Sequence, residues 1–261
     1  MTTATSWTPT GEDLATAYAR HADSLRGALR HALVTRALLN HLPAEPQRIV
    51  DIGGGAGHQA IALARAGHIV TVIDPDAAML QRAADALNAE DDTVAARVTL
   101  RQGYGEHARD ILGGEPVDAA CCHGVLMYLD DPAPLLATLV DTVRPDGLIS
   151  VLTKNRAALA MRPGLEGRWA DALAVIDQTT ETGNLGLPSR ADDLDSTQHA
   201  LAAAGATTEA WYGVRVFTDH LGDTPVGADF DQILTAEWAA GTRDPYRGVA
   251  RLFHLIARRS R

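Results

Sequence analysis

Residues 47–80, QRIVDIGGGAGHQAIALARAGHIVTVIDPDAAML, restrict the possible folds more than any other part of the chain. The apolar run RIVDI meets Gly53, Gly54, Gly55 and Gly57, a helical repeat follows in HQAIALAR, and a second apolar run, HIVTVID, ends on Asp74. Strand, glycine turn, helix and strand in that order make a βαβ unit, whose parallel strands leave a ligand site outside their carboxyl ends. Glycine at such a turn keeps the backbone bare where a side chain would occupy the ligand's space. An acid ending the second strand can accept hydrogen bonds from both hydroxyls of a ribose, and Asp74 stands there.

Charge at the turn separates two ligands. Gly55-Ala56-Gly57-His58-Gln59-Ala60 satisfies the dinucleotide pattern G-x-G-x-x-A. A dinucleotide would set an anionic pyrophosphate at the turn, where Asp51 repels it. S-adenosylmethionine (SAM) brings an ammonium and a sulfonium instead, and a nearby carboxylate favours both. Asp51 therefore speaks for SAM over NAD.

The alternation continues to about residue 153. DAAMLQRAADALNAE reads as a helix, VAARVTLRQG as a strand, PVDAACC as a fourth strand, PAPLLATLVDTVR as a helix, and LISVLT as a fifth strand after Pro145, Asp146 and Gly147. Ahead of the unit, Leu14, Tyr18, Leu25, Leu29, Leu33, Ala37 and Leu38 recur at helical spacing and predict one or two helices. Behind it, residues 155–190 are weakly helical, broken by Pro163, Gly164, Gly167, Gly183, Gly186 and Pro188, and predict a helical lid. DDLDSTQHALAAAG is then a helix closed by Gly205, and ATTEAWYGVRVF and GVARLFHLIAR are strands. One domain is expected: a helical cap over 1–45, an α/β core over 46–154 and 192–261, and a lid over 155–191.

With 261 residues, 46% of them hydrophobic, the chain can bury a large core. A net charge of −10, with Lys154 the only lysine, does not draw nucleic acid to the surface as a whole. Residues 247–261 are the exception, with Arg247, Arg251, Arg258, Arg259 and Arg261 and no acid after Arg247; they read as a solvated strand edge and terminus in preference to a phosphate contact. Cys121 and Cys122 are adjacent and could join only through a strained ring, so both are expected as free thiols in a buried strand. Neither the opening MTTATSWTPTGEDLATAY nor any later run has the character of a signal or a membrane span, so a cytoplasmic location and no membrane partner are expected. No grouping of His, Cys, Asp and Glu has metal-ligand spacing, and no metal is expected.

RIVDIGGGAGHQAIALARAGHIVTVIDPDAAML resembles the first two motifs of the class I SAM-dependent methyltransferases. CHGVLMYLDDPAPLLATLVDTVRPDGLISVLTKN, GVRVFTDHL and DPYRGVARLFHLIAR extend the resemblance over nearly the whole chain, toward the bacterial tRNA 5-carboxymethoxyuridine methyltransferases, which make a methyl ester on a modified wobble uridine. The resemblance implies a doubly wound, Rossmann-like class I methyltransferase sheet with SAM as cofactor. It implies Arg26 at the SAM carboxylate, Gly53 and Gly54 at the amino acid moiety, Asp74 at the ribose, Gly105 and Glu106 flanking the adenine, and His123 at the mouth of strand four near the methyl donor. Asp51 and Gly55 complete the expected cofactor set. Where the tRNA enzymes carry a basic loop, residues 179–195 here read TTETGNLGLPSRADDLD, acidic apart from Arg190. A small acceptor molecule therefore stands beside a modified tRNA wobble uridine as the expected partner.

The acceptor's chemistry decides which side chains matter. A carboxylate is ionised at neutral pH and needs no base, only a partner that fixes its direction, for which a planar guanidinium is suited. Arg215 in GVRVF is the candidate, with Tyr212 and Asn155 beside it, although Arg215 in a structural ion pair is an equal reading. A hydroxyl or amine acceptor needs a proton removed, for which His123 and His220 are candidates. The expectation is a methyltransferase acting on a carboxylate or other oxygen. Its alternatives are a small-molecule O- or N-methyltransferase, a SAM-binding protein without turnover, and an NAD-dependent oxidoreductase. The oligomeric state stays open.

Overall fold

The computed structural model describes residues 21–182 and 188–261; the part of the N-terminal helix expectation before residue 21, and Gly183 and Gly186 of the lid, lie outside the described residues. The apolar runs form one seven-stranded sheet in the order β3-β2-β1-β4-β5-β9-β8. Its strands are β1 (Arg48–Ile52), β2 (Ile69–Asp74), β3 (Val98–Gln102), β4 (Val117–His123), β5 (Val143–Lys154), β8 (Ala206–Val214) and β9 (Leu252–Arg259). The first five are parallel, and β9 runs antiparallel between β5 and β8. Strands β2 and β3 build to one side of β1 and β4 and β5 to the other. The crevice of this doubly wound sheet therefore opens at the carboxyl ends of β1 and β4.

Helices of five residues or more are α1 (Leu25–His41), α2 (His58–Arg65), α3 (Ala77–Leu87), α4 (Ala133–Thr142), α5 (Met161–Leu165), α6 (Trp169–Val175), α7 (Leu194–Ala203) and α8 (Phe230–Gly241). Helix α1 starts where Ser24 accepts from the Gly27 N–H, and it buries the stripe Leu25, Leu29, Leu33 and Ala37. Its Leu33 and Leu38 join Leu63 of α2, Cys121 of β4 and Ile256 of β9 in the core on one face of the sheet. Leu136 and Leu139 of α4 and Leu201 of α7 join Cys122 and Phe253 on the other face. The adjacent cysteines thus point to opposite faces, as a strand requires, and both are free.

Four local features depart from the sequence reading. β5 begins at Val143 rather than Leu148, because the Arg144–Gly147 turn residues are taken into the strand as an irregularity, with Asp146 at φ 61°. The 155–191 insertion is helical only in its first half. Its second half pairs β6 (Thr180–Thr182) with β7 (Pro188–Arg190), an antiparallel arrangement that suits the β-branched threonines. Helix α8, unforeseen, packs on α1 and β8. Finally, β9 is not a sheet edge. Arg251 is buried against Glu181, Arg258 pairs with Glu209 at 3.1 Å, and Arg259 donates to the Val143 carbonyl at 2.7 Å. No described helix is long and apolar enough to cross a membrane.

Helix α8 also fixes the loop after β8. Glu237 is fully buried, and its carboxylate accepts the backbone N–H groups of Val216 (2.6 Å), Phe217 (3.0 Å) and Thr218 (2.9 Å) together with the Thr218 hydroxyl (2.7 Å). Glu237→Ala orphans these donors and is expected to cost about 3 kcal/mol or more. Urea denaturation of the variant against the parent checks this, and a loss under about 1 kcal/mol would mean that the loop finds other acceptors.

Candidate functional site

The turn between β1 and α2 is built as its glycines require. Gly53, Gly55 and Gly57 have φ of 67°, 54° and 78°, the left-handed region. Space is the second constraint. A Cβ on Gly53 would lie 2.3 Å from Val125 Cγ2, and one on Gly54 would lie 2.8 Å from Asp51 Oδ2. Asp51, the penultimate residue of β1, is 2% exposed, and among the described residues its Oδ2 has no hydrogen-bond partner. Burial, reinforced by the Asp74 charge and opposed by Arg30, pushes its carboxyl up to about 7. Asp74 holds the turn from the end of β2: Oδ2 accepts from Gly55 N and Oδ1 from Asp76 N, both at 2.9 Å. Burial raises Asp74 to about 6.

Asp51, Gly53, Gly54 and His123 line one cavity of ≈ 330 Å³, open solvent at its mouth included, together with Arg30, His31, Val34, His58 and Gln59. Arg30 reaches it from α1 and donates to the His123 carbonyl at 2.8 Å. Arg26, expected in this place, does not line the cavity. Its guanidinium lies on Asp223 Oδ1 at 2.5 Å and on the Asp219 carbonyl at 3.4 Å, one helical turn from Arg30. His31 and His58 stack at 4.8 Å, and burial lowers the pKa of both. Sequence reasoning missed Arg30, His31, His58 and Gln59. The four-residue step from Arg26 to Arg30 along α1 was the available signal. Gly105 and Glu106 begin the short helical turn after β3, where a Cβ on Gly105 would meet Ile52 at 2.4 Å, beside the end of β1.

His123 ends β4 with Nε2 at 2.8 Å from Ser150 Oγ, and Ser150 Oγ is 2.7 Å from His254 Nε2. Burial lowers His123 well below the ordinary histidine range and His254 to about 3, so both rings are neutral at physiological pH. The remaining acceptor candidates separate. Asn155 donates to the carbonyls of Gly248 (3.0 Å) and Ala250 (2.9 Å) and accepts from Ala157 N (3.1 Å), so it straps the end of β5 to the segment before β9. Tyr212, half-buried against the core, stacks on Trp238 and bonds His41 Nε2 at 2.7 Å, and it lines neither the glycine-turn cavity nor the Arg215 cavity. Arg215 and His220 line a second cavity, with Arg162, Asp219 and Arg251.

Comparison with known proteins follows the same lines. Residues 50–149 match the family model described as a methyltransferase domain. Over 255 residues, 95% of each chain, the sequence is 28% identical to the tRNA 5-carboxymethoxyuridine methyltransferase of Escherichia coli (strain K12). Over 122 residues, 46% of this chain and 45% of the relative, it is 32% identical to the ubiquinone biosynthesis O-methyltransferase of Caulobacter sp. (strain K31). A S-adenosylmethionine dependent methyltransferase structure from Mesorhizobium loti superposes with a TM-score of 0.56 at 21% identity, covering 86% of this chain and 96% of that one. The sheet order, the glycine turn and the matched domain together mark the chain as a SAM-dependent methyltransferase with the class I fold.

Proposed function

We propose that this methyltransferase esterifies a carboxylate oxygen of its acceptor, with the donor held at the glycine turn. The observation that carries the reading is the lining of that cavity: one buried carboxylate with a free oxygen, and histidines that burial keeps from taking a proton. Asp51 suits the donor's ammonium, the uncovered backbone of Gly53 and Gly54 leaves room for its amino acid part, and Asp74 suits ribose hydroxyls. Arg30 holds the His123 carbonyl and is placed to meet the donor's carboxylate. Bound SAM supplies a methyl group already activated by its sulfonium. The protein's own task is then to align an acceptor and exclude water. An ionised acceptor needs no base, and burial makes His123 a weak one.

Two acceptor classes fit. The E. coli relative, matched over 95% of both chains, is named for 5-carboxymethoxyuridine in tRNA, a carboxylate. A small carboxylate is favoured by Arg190, the one cation in residues 179–195, which is turned inward onto Asp192 and the carbonyls of Leu126, Leu129 and Asp130. An assay of SAM consumption with tRNA bearing 5-carboxymethoxyuridine and, separately, a pool of small carboxylates and alcohols tests the reading. Ester formation on either carboxylate supports it, and turnover confined to alcohols or amines would overturn it.

Replacing Asp74 with Ala removes an acceptor from the ribose site and from Gly55 N, and SAM affinity is expected to fall ~100-fold or more. Isothermal titration checks this, and unchanged affinity would place the pocket elsewhere. With burial pushing Asp51 up to about 7, it is neutral below that pH, and the donor's ammonium loses its anionic partner as pH falls. SAM binding should weaken by up to about tenfold per unit below pH ~7 and release a proton near neutrality. Titrations in buffers of different ionisation enthalpy measure that proton. Binding that is flat from pH ~5.5 to ~8, with no proton released, would remove Asp51 from the donor site.

A further inference from the structure

Beyond the glycine turn, at the same edge of the sheet, lies a cavity of ≈ 240 Å³, open solvent at its mouth included. Its polar wall is Arg162 of α5, Arg215 after β8, Arg251 before β9, and Asp219. Its apolar wall includes Met161, Leu165 and Val249, all exposed. Three guanidinium groups converge on one carboxylate: Asp219 is 2.6 Å from Arg162, 3.4 Å from Arg215 and 3.6 Å from Arg251. Glu181 is shared between Arg251 and Lys154. Among the described residues, Arg215, Arg251 and Lys154 share Asp219 and Glu181, Asp219 also being held by Arg162, while Arg26 is matched by Asp223.

The donors are also unfilled. Among the described residues, Arg215 Nε and Nη1 and Arg251 Nη1 have no hydrogen-bond acceptor, and both residues are 5% exposed. Buried N–H groups are nearly always paired in folded proteins; Asp219 Oδ1 beside them is also unfilled, but a single oxygen does not serve all three N–H groups, so they mark a missing acceptor. Burial, with the like charges of Arg162, Arg251 and Arg26, brings Arg215 down to about 10 despite Asp219. Its backbone is held at φ 63°, a region a non-glycine residue seldom adopts, and the Glu237 clamp on the next three residues holds it there.

We infer that this cavity seats the acceptor's carboxylate, carried on an apolar body; the inference rests on the carboxylate-acceptor reading above. The excess positive charge and open N–H groups call for an anion. The apolar wall and limited volume favour a monocarboxylate with a hydrocarbon or aromatic neighbour over a chain of phosphates. The cavity lies at the same edge of the sheet as the donor pocket, with no lining residue in common. Arg251 precedes Leu252, which pairs with Lys154 on β5, and Leu152 pairs with His123 on β4, so Arg251 stands two strand spacings across the sheet and three residues along it from His123, ~14 Å between backbones. Arg26 and Arg30 of α1 touch the two sites, with Arg26 on the Asp219 carbonyl and Arg30 on the His123 carbonyl. In the transfer, one carboxylate oxygen forms the new bond to the methyl carbon as the methyl–sulfur bond breaks, its electron pair staying on sulfur. No proton moves. The ester formed carries no charge, so the arginines lose their hold on it and release follows.

Phenylacetate serves as the probe, compared with acetate, phosphate and chloride at matched ionic strength, by thermal shift and isothermal titration. Phenylacetate is expected to raise Tm saturably and more than the other anions. Arg215→Met and Arg251→Met should each weaken it at least tenfold, with SAM affinity unchanged. The Arg215→Met protein without ligand should melt no lower than the parent, since a like charge has been removed from a cationic cavity; a purely structural arginine would lower Tm. Equal responses to chloride and phenylacetate, tighter phosphate than phenylacetate, or parental phenylacetate binding in both variants would overturn the seat. Methyl ester formation by Arg215→Met with parental kcat and KM would overturn the seat and leave the carboxylate reading standing. Loss of phenylacetate binding in the variants, in a protein that methylates only alcohols, would uphold an anion site and overturn the carboxylate reading.

Discussion

A carboxylate buried in mid-sheet with one oxygen unpaired is the constraint on which the donor pocket depends. Asp51 lies on β1, flanked on both sides by β2 and β4, so water has little access to its Oδ2. An unpartnered ionised carboxylate is unfavourable in such surroundings, and the protein without ligand relieves it by holding a proton on Asp51 up to about pH 7. Much of the turn answers to that atom. Gly54 cannot carry a Cβ because Oδ2 fills its place, and Arg30 offsets the negative charge from α1 without closing the cavity. Asp74, whose own charge opposes Asp51, is kept apart by giving its two oxygens to backbone N–H groups.

The opposite imbalance sits at β8 and β9. Glu237 there is a buried carboxylate with its acceptors filled, and the result is rigidity of the loop that presents Arg215. The arginines beyond it exceed their acids, and several of their N–H groups stay open. Among the described residues, one end of the crevice therefore leaves a carboxylate oxygen unpaired and the other leaves guanidinium N–H groups unpaired, with α1 spanning both. Such a pair of complementary deficits is how a fold orients two oppositely charged reactants relative to each other.

The parts legible in the sequence are those set by short-range pattern. The strand, turn, helix and acid of residues 48–74 follow from apolar periodicity and glycine sterics, and the doubly wound order follows from repeating that unit. Arg26 and Arg30 show where local reasoning stops: both lie on one face of α1, and only the packing of α1 over the turn decides which meets the cavity. Asn155 and Tyr212 carry polar groups that fit an acceptor site equally well, but their partners, Gly248 and Ala250 for one and His41 for the other, are 93, 95 and 171 residues away in sequence. Helix α8 was hidden because its buried face includes Glu237, a charge that reads as solvent-facing until three N–H groups of a distant loop surround it. The antiparallel pair β6 and β7 is three residues a side, too short for period-two alternation to declare itself.

The choice of an ionised acceptor also follows from what the cavity does to charge. His123, Ser150 and His254 cross three strands as a hydrogen-bonded series whose rings burial keeps neutral. They can shape the cavity and hold a tautomer, and they leave little capacity to collect a proton from an alcohol. A positively charged donor and a negatively charged acceptor, by contrast, annihilate their charges as the methyl group passes. In a site shielded from water, a reaction that disperses charge is helped by the same desolvation that penalises separated ions. Asp51, which gives up its proton as the donor enters, the unfilled arginines and the neutral histidines are then parts of one electrostatic arrangement, in which both reactants enter charged and both products leave with less charge to hold them.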